Sequence, residues 1–231
     1  MGSLRVIAID GPAGAGKSTI ARRLARALDL EYLDTGAMYR AVTAVALKRG
    51  WNVHDESVIG PMSRAIDIEV GLETVTADGI EITEFIRGPE VTGAVSTVAA
   101  MSSVRQEMRR RQREWGETRG GGVIEGRDIG TVVFPDAILK VFLTASPRVR
   151  AQRRVAEMGG DVHAIEASIR ERDFKDSSRS DGPLAESNDS VTVDTSDSSI
   201  DDVVSRIMAL LVDREAARGI RSDAQHRESD E

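Results

Sequence analysis

Residues 11–18 read GPAGAGKS, an unbroken G-x-x-x-x-G-K-S between an apolar run, Val6-Ile7-Ala8-Ile9, and a stretch from Lys17 to Leu28 with apolar Ile20, Leu24, Ala27 and Leu28. Four apolar residues in a row that end near glycine suit a strand buried on both faces. The stretch that follows has helical spacing. Between two such elements, the small residues Gly11, Pro12, Ala13, Gly14, Ala15 and Gly16 let successive backbone N–H groups curl around phosphates at a helix N-terminus. Lys17 then reaches the β- and γ-phosphates of a triphosphate, Ser18 offers its hydroxyl to Mg²⁺, and Thr19 follows in the first helical turn. A glycine-rich turn with an incidental lysine is the bland alternative, and the strand-turn-helix context argues against it.

The remaining chain continues the alternation. Leu30–Leu33 predicts a second strand and Ala37–Arg49 a second helix closed by Gly50. Val123–Glu125, Ile138–Leu143 and Val191–Val193 read as further strands, and Pro147–Met158 and Val162–Lys175 as helices. This is the pattern of an α/β fold with a parallel sheet. One stretch breaks it: from about Asp67 to Gly88, Ile68, Val70, Val75, Ile80 and Ile82 alternate with polar residues around an Ala77-Asp78-Gly79 turn. Helices at Glu90–Ala100 and Ser103–Trp115 follow. The expected organisation is a core of residues 1–64 and 117–212, an inserted subdomain at 65–116, and a charged tail at 213–231 that frays into solvent.

Composition narrows the function classes. A chain of 231 residues, 40% hydrophobic and 30% charged, has the makings of a folded domain. Its apolar runs are too short for a bilayer span, and its first residues lead into a strand without a signal-peptide pattern. Cysteine is absent, which excludes disulfide scaffolds and thiolate chemistry and fits a reducing cytosol, so a cytoplasmic protein is expected. The net charge of −7 is concentrated between Asp173 and Asp202 and argues against a nucleic-acid binder. Arginine clusters at Arg105–Arg113 and Arg148–Arg154 nevertheless suit a small polyanion.

The phosphate loop specifies a triphosphate, not a reaction. The NKxD signature of a switch GTPase is missing, since the only asparagines are Asn52 and Asn188, and a motor or transporter ATPase needs more chain. A small kinase remains, which must bind a second substrate opposite the triphosphate. Three segments offer that site. Asp34-Thr35-Gly36-Ala37-Met38-Tyr39-Arg40 sets a hydroxyl at a helix start and a guanidinium about a turn later, although Thr35 would serve equally as an ordinary N-cap. Arg127 and Asp128 follow the third core strand, where ligands gather at the carboxyl ends of parallel strands; a surface ion pair in a turn is the alternative. Arg172, Asp176 and Arg179 fall on one helix face if the helix runs that far, or form a solvated charged surface. Arginines, Arg153 and Arg154 among them, flank Gly159-Gly160 and suit a lid over about residues 152–175 that closes on phosphates and excludes water.

Taken together, IDGPAGAGKST, DTGAMYR, GRDIGTVVFPDA and RDFKDSSR resemble bacterial cytidylate kinase, a nucleoside monophosphate kinase family, from about Leu4 to Leu211. GRDIGTVVFPDA is far more specific to that family than the phosphate loop. The resemblance implies a P-loop NTPase-type five-stranded parallel sheet with helices on both faces, a lid, and an enlarged insert that binds the monophosphate. It also implies transfer of the γ-phosphoryl of ATP to CMP or dCMP with Mg²⁺. By the same resemblance, Thr35, Arg40 and Arg127 hold the CMP phosphate, and Asp128, Ser96 and Arg105 read the cytosine. Arg172, Asp176 and Arg179 reach the pentose and phosphates, and Lys17, Arg127, Arg172 and Arg179 are the catalytic set.

Two positions depart from the family pattern: Ala13, where serine can occur, and Lys175, where arginine can occur. Lysine keeps the charge but lacks the planar fork, which puts a bidentate role at Lys175 in doubt. No covalent intermediate is required, so no general base is assigned, and His54 and His163 are expected to be bystanders. Partners are expected to be small-molecule substrates only, with no nucleic acid and no membrane, and the chain a monomer. A kinase acting on UMP or on an alcohol such as shikimate, and a nucleotide-binding regulator without turnover, remain as alternatives.

Overall fold

A computed structural model describes residues 4–219. Five strands, β1 (Arg5–Asp10), β2 (Tyr32–Asp34), β6 (Gly121–Gly126), β7 (Leu139–Thr144) and β8 (Val191–Asp194), form one sheet in the order β2-β6-β1-β7-β8. Every pairing in it is parallel. The expected α/β class and five-stranded parallel sheet are present, with strand boundaries moved by one or two residues.

Alternation along the central strands divides the interior in two. Val6 and Ala8 of β1 join Ile124 of β6 in one apolar cluster, while Ile7 and Ile9 join Val123 in the other. The first is covered by α2 (Thr35–Lys48), α4 (Pro89–Val98) and α5 (Ser102–Thr118), through Met38, Val42, Val95, Val104 and Met108. The second is covered by α1 (Lys17–Leu28) and α8 (Ile200–Ala217), through Ile20, Leu24, Val203 and Ile207. A sheet masked on both faces explains why its strands read as continuous apolar runs.

The break in the alternation is a separate antiparallel sheet of β3 (Ile68–Val70), β4 (Val75–Ala77) and β5 (Ile80–Glu81). Asp78 and Gly79, with φ of 50° and 74°, make the tight turn between β4 and β5. The buried Val75, Ala77 and Ile82 tie this sheet into the first cluster. α3 (Glu56–Ala65) has no counterpart in the sequence reading, because Gly60-Pro61 interrupts its pattern. It forms under the Asp55 cap, whose side chain accepts from the Ser57 amide. The pair α6 (Pro147–Met158) and α7 (Val162–Ser177) packs together after β7, capped by Ser146 and Asp161.

Two expectations need correction. α7 stops at Ser177, so Arg179 lies beyond it, on a strap of residues 178–184 pinned by the Leu184 amide donating to the Asp176 carbonyl at 2.8 Å. The tail expected from Asp213 is helical to Ala217: Glu215 is buried and accepts from Arg5 at 2.7 Å. One buried turn among charges was too faint to read by periodicity. Residues 220–231 of the expected tail lie outside the described residues. Among the described residues no helix is long and apolar enough to cross a membrane.

Because the sheet is parallel, the carboxyl ends of its strands open on one edge. Asp10, at the end of β1, locks the turn after β6 to that edge. Its two carboxylate oxygens accept from the Ile129 and Gly130 amides at 2.8 and 2.7 Å, as the chain enters a single π-helical turn at Ile129–Val133. Burial raises the Asp10 carboxyl to about pKa 6 against the pull of those amides. A folded-state pKa above the unfolded 3.8 means that the native state holds the extra proton. The stability so contributed is complete below about pH 4 and is lost as the pH rises through about 6. The stability difference between wild type and Asp10→Asn, from urea unfolding, should therefore fall by up to about 3 kcal/mol between pH 4 and 7. A difference that stays flat over that range counts against a raised Asp10.

Candidate active site

The strand ends open on a cleft of about 710 Å³ between the antiparallel sheet with α4 on one side and α6–α7 on the other. At its base lies the loop between β1 and α1. Gly14 and Gly16 adopt φ of 78° and 85°, which turns the backbone so that the start of α1 faces the cleft without a side-chain cap. Ala13 to Thr19 line the cleft, whereas Gly11 and Pro12 do not. Gly11 packs against the Leu143 backbone, and the Pro12 carbonyl accepts from the Lys17 ammonium at 2.8 Å. These two residues shape the loop from behind its mouth.

Lys17 is buried, and its pKa is lowered by desolvation and by the nearby Arg127. Beside it Glu125, from the end of β6, is buried and raised by desolvation and by Asp34. Glu125 accepts from the Tyr32 hydroxyl and also engages Ser18. The Ser18 hydroxyl with the Asp34 and Glu125 carboxylates makes a hard oxygen set at this end of the cleft. No group of three or more His, Cys, Asp or Glu among the described residues forms a metal cage. One or two protein oxygens completed by substrate phosphates is the manner in which Mg²⁺ is commonly held, and these residues fit it.

Thr35 is not the cap of α2. Asp34 is, accepting from the Ala37 amide at 3.0 Å, while the buried Thr35 hydroxyl donates to the Glu125 carbonyl at 2.6 Å. The cap reading of Thr35 fails because its neighbour takes that role. Arg40 spans to the insert, donating to the Ile86 carbonyl and the Thr92 hydroxyl, both at 3.0 Å. Arg127 does not pair with Asp128; its Nε donates to buried Asp176 at 2.9 Å. Arg172 is pushed down to about 10 by burial and then by Arg127 and Arg40, with Arg154 adding to it. Arg40 is likewise lowered, by burial and by Arg127 and Arg154. Four guanidiniums thus repel one another across one space, as a polyanion site requires. Arg153 lies apart from that group, held to the Thr195 backbone and side chain near Ile200 and Val203 on the α8 rim.

At the far end, Arg105 and Asp128 form a buried ion pair at 1% and 4% exposure. Arg105 also donates to the Ala99 carbonyl at 3.3 Å and lies over the Tyr39 ring at 5.8 Å. Burial raises Asp128, opposed by Arg105, Arg179 and Arg109. Ser96 lines this end, and Arg179 reaches it from the strap, donating to the Gly182 carbonyl at 2.9 Å. The charged surface proposed as an alternative for Asp176 is ruled out by its burial. Lys175 lies outside the cleft, paired with Glu171 on an exposed face. His54 and His163 are exposed and outside the cleft as well.

Motif reading overlooked Glu125, Asp34 and Arg150. A charged residue inside the apolar run Val123-Ile124-Glu125 was the available signal for the first. Arg150 carried none, being one arginine in a cluster. It is 3% exposed and bridges three segments: Nε donates to Ala145, Nη1 to the Ala13 carbonyl at 3.0 Å, and the fork grips Asp173 of α7 at 3.1 and 2.5 Å. Arg150→Lys keeps the charge and loses the fork. It should lower stability by about 1–3 kcal/mol and weaken triphosphate binding roughly tenfold in calorimetry. Unchanged values for both would remove Arg150 as the tie between loop and helix pair.

Comparison with known proteins adds an independent finding. A family model described as Cytidylate kinase matches residues 7–213. The chain is 44% identical over 221 residues to a cytidylate kinase of Rhodococcus jostii (strain RHA1), covering 92% of this chain and 96% of that one. It is 42% identical, over 97% of its length, to a bifunctional pantoate ligase/cytidylate kinase of Synechococcus sp. (strain RCC307), of which it spans 46%. A gluconokinase from Sinorhizobium meliloti 1021 has a similar fold, with TM-score 0.50 at 17% identity, covering 96% of this chain and 99% of that one.

Proposed function

The chain belongs to the cytidylate kinase family, and from that membership we propose that it moves the γ-phosphoryl group of ATP to CMP or dCMP, giving ADP and CDP or dCDP. The observation that carries the substrate assignment is the buried Arg105–Asp128 pair at the end of the cleft opposite the phosphate loop. A carboxylate there accepts from the exocyclic amine of cytosine, a group that uracil replaces with an acceptor, and the arginine donates to the ring carbonyl and nitrogen. A shikimate-type alcohol or a simple regulator has no use for such a pair. In this reading Ser96, which lines the same cleft, contributes its hydroxyl to the base.

In this reading the triphosphate lies on Ala13–Thr19, with Arg153 and the α8 rim beside its base. Phosphates beside Lys17 favour its charged form, against the desolvation that lowers its pKa. Mg²⁺, when bound through Ser18, supplies charge neutralisation between the β- and γ-phosphates. Thr35, Arg40 and Arg127 hold the acceptor phosphate, and Arg172 and Arg179 bring charge from the α7 side. Asp176 fixes Arg127 and faces the pentose. The acceptor phosphate is already an anion, so the residues need to align two polyanions and meet charge, and no base is needed. Residues 65–116 supply the acceptor side, and residues 152–175 act as the lid that closes over the transferring group.

A coupled ADP-release assay with CMP, UMP, AMP and no acceptor tests the assignment: turnover should appear with CMP and be weak with the others. Asp128→Asn should lose roughly 2–4 kcal/mol of transition-state stabilisation with CMP while UMP loses much less, because an amide can donate to the uracil carbonyl. Equal losses with both would make Asp128 structural. Lys17→Ala should lower kcat by roughly three orders of magnitude or more with the melting temperature little changed; near wild-type turnover would take the loop out of the mechanism.

A further inference from the structure

The strap of residues 178–184 carries a carboxylate that no motif points to. Asp181 forms an ion pair with Arg109 of α5, and its Oδ1 lies 3.7 Å from Nε of Arg105. Nothing else takes that side of either guanidinium: Nε of Arg105 and Nε of Arg109 are buried without a hydrogen-bond partner among the described residues. The strap also runs directly over the Arg105–Asp128 pair, since a Cβ placed on Gly182 would collide with Arg105 Nη2 and Asp128 Oδ2. Gly182 has φ of 59°, a conformation that glycine adopts freely.

The charges make Asp181 consequential. Asp128 feels three cations, Arg105, Arg179 and Arg109. Arg105 already holds one of its oxygens, Oδ2. With Asp181 in place, Arg109 is directed to the strap and Asp128 Oδ1 is left for a ligand. With Asp181 neutral, Asp128 is the carboxylate left to attract Arg109, and its second oxygen is taken by a guanidinium. The pocket then presents N–H donors where it had presented an acceptor, and the base with an acceptor at that edge gains.

We propose that Asp181 is a positioning residue for base choice: by engaging Arg109 and the Nε side of Arg105, it keeps an oxygen of Asp128 open to the cytosine amine, so that cytosine is taken over uracil. This rests on the functional reading above.

The test compares wild type, Asp181→Asn, Asp181→Glu and Asp181→Asn/Arg109→Gln in the full chain, with CMP and UMP as acceptors and melting temperature recorded. Asp181→Asn should lower kcat/KM for CMP roughly tenfold, chiefly through KM, and leave UMP unchanged or improved, since removing a charge beside a buried pair alters partner choice more than fold. Asp181→Glu should restore most of the CMP preference. Arg109→Gln in the Asp181→Asn background should restore it too, because the competing donor leaves with the arginine. A CMP-to-UMP ratio unchanged in Asp181→Asn, or an equal loss with both acceptors, overturns the proposal while leaving the enzyme a CMP kinase. A wild-type chain that makes no CDP from CMP overturns the functional reading and this proposal together. If Asp181→Asn fails to fold, the ratio is read in the double variant, where a loss of CMP preference equally overturns it.

Discussion

Mutual repulsion among Arg40, Arg127, Arg154 and Arg172, all turned to one edge of a parallel sheet, is the constraint on which the site depends. Two of the four are tied to rigid partners. Arg127 is tied to Asp176, and Arg40 to the Ile86 carbonyl and the Thr92 hydroxyl. The ties come from different elements: Asp176 lies on α7, and Ile86 and Thr92 lie in the insert. Arg40 and Arg127 are thus oriented by the protein itself.

The carboxylates deepen the same logic. Asp10, Glu125 and Asp128 are all buried near strand ends, and desolvation pushes each of them up. They do different work. Asp10 holds backbone amides, Glu125 lies against the lysine of the phosphate loop, and Asp128 pairs with a buried arginine through one of its two oxygens. Environment, not residue type, separates the roles.

Much of this was legible in the chain. The strand-loop-helix at its start and the alternating runs define the parallel sheet, because strands covered on both faces must be apolar throughout. The meander at Ile68–Glu81 was legible for the opposite reason, its alternation and its Asp78-Gly79 turn. What escaped reading depends on contacts distant in sequence. Arg150 is one arginine among several until the fold brings Ala13 and Asp173 to it. Asp181 lies 72 residues from its partner Arg109, in an acidic stretch that gives it no distinction. Helix α3 was hidden by Gly60-Pro61, and the last turn of α8 by surrounding charge. Thr35 looked like a cap because cap statistics cannot show that Asp34 is better placed.

The sheet that separates the two apolar clusters also separates two evolutionary problems. Helices α1 and α8, which support the triphosphate loop, pack into one cluster, and the antiparallel sheet with α2, α4 and α5 packs into the other. Strands alone are shared. Substitutions in the antiparallel sheet or in α2, α4 and α5 are thus absorbed by a core in which residues 11–18 take no part. Repacking on one face can therefore leave undisturbed the loop at the start of α1, which draws its support from the other.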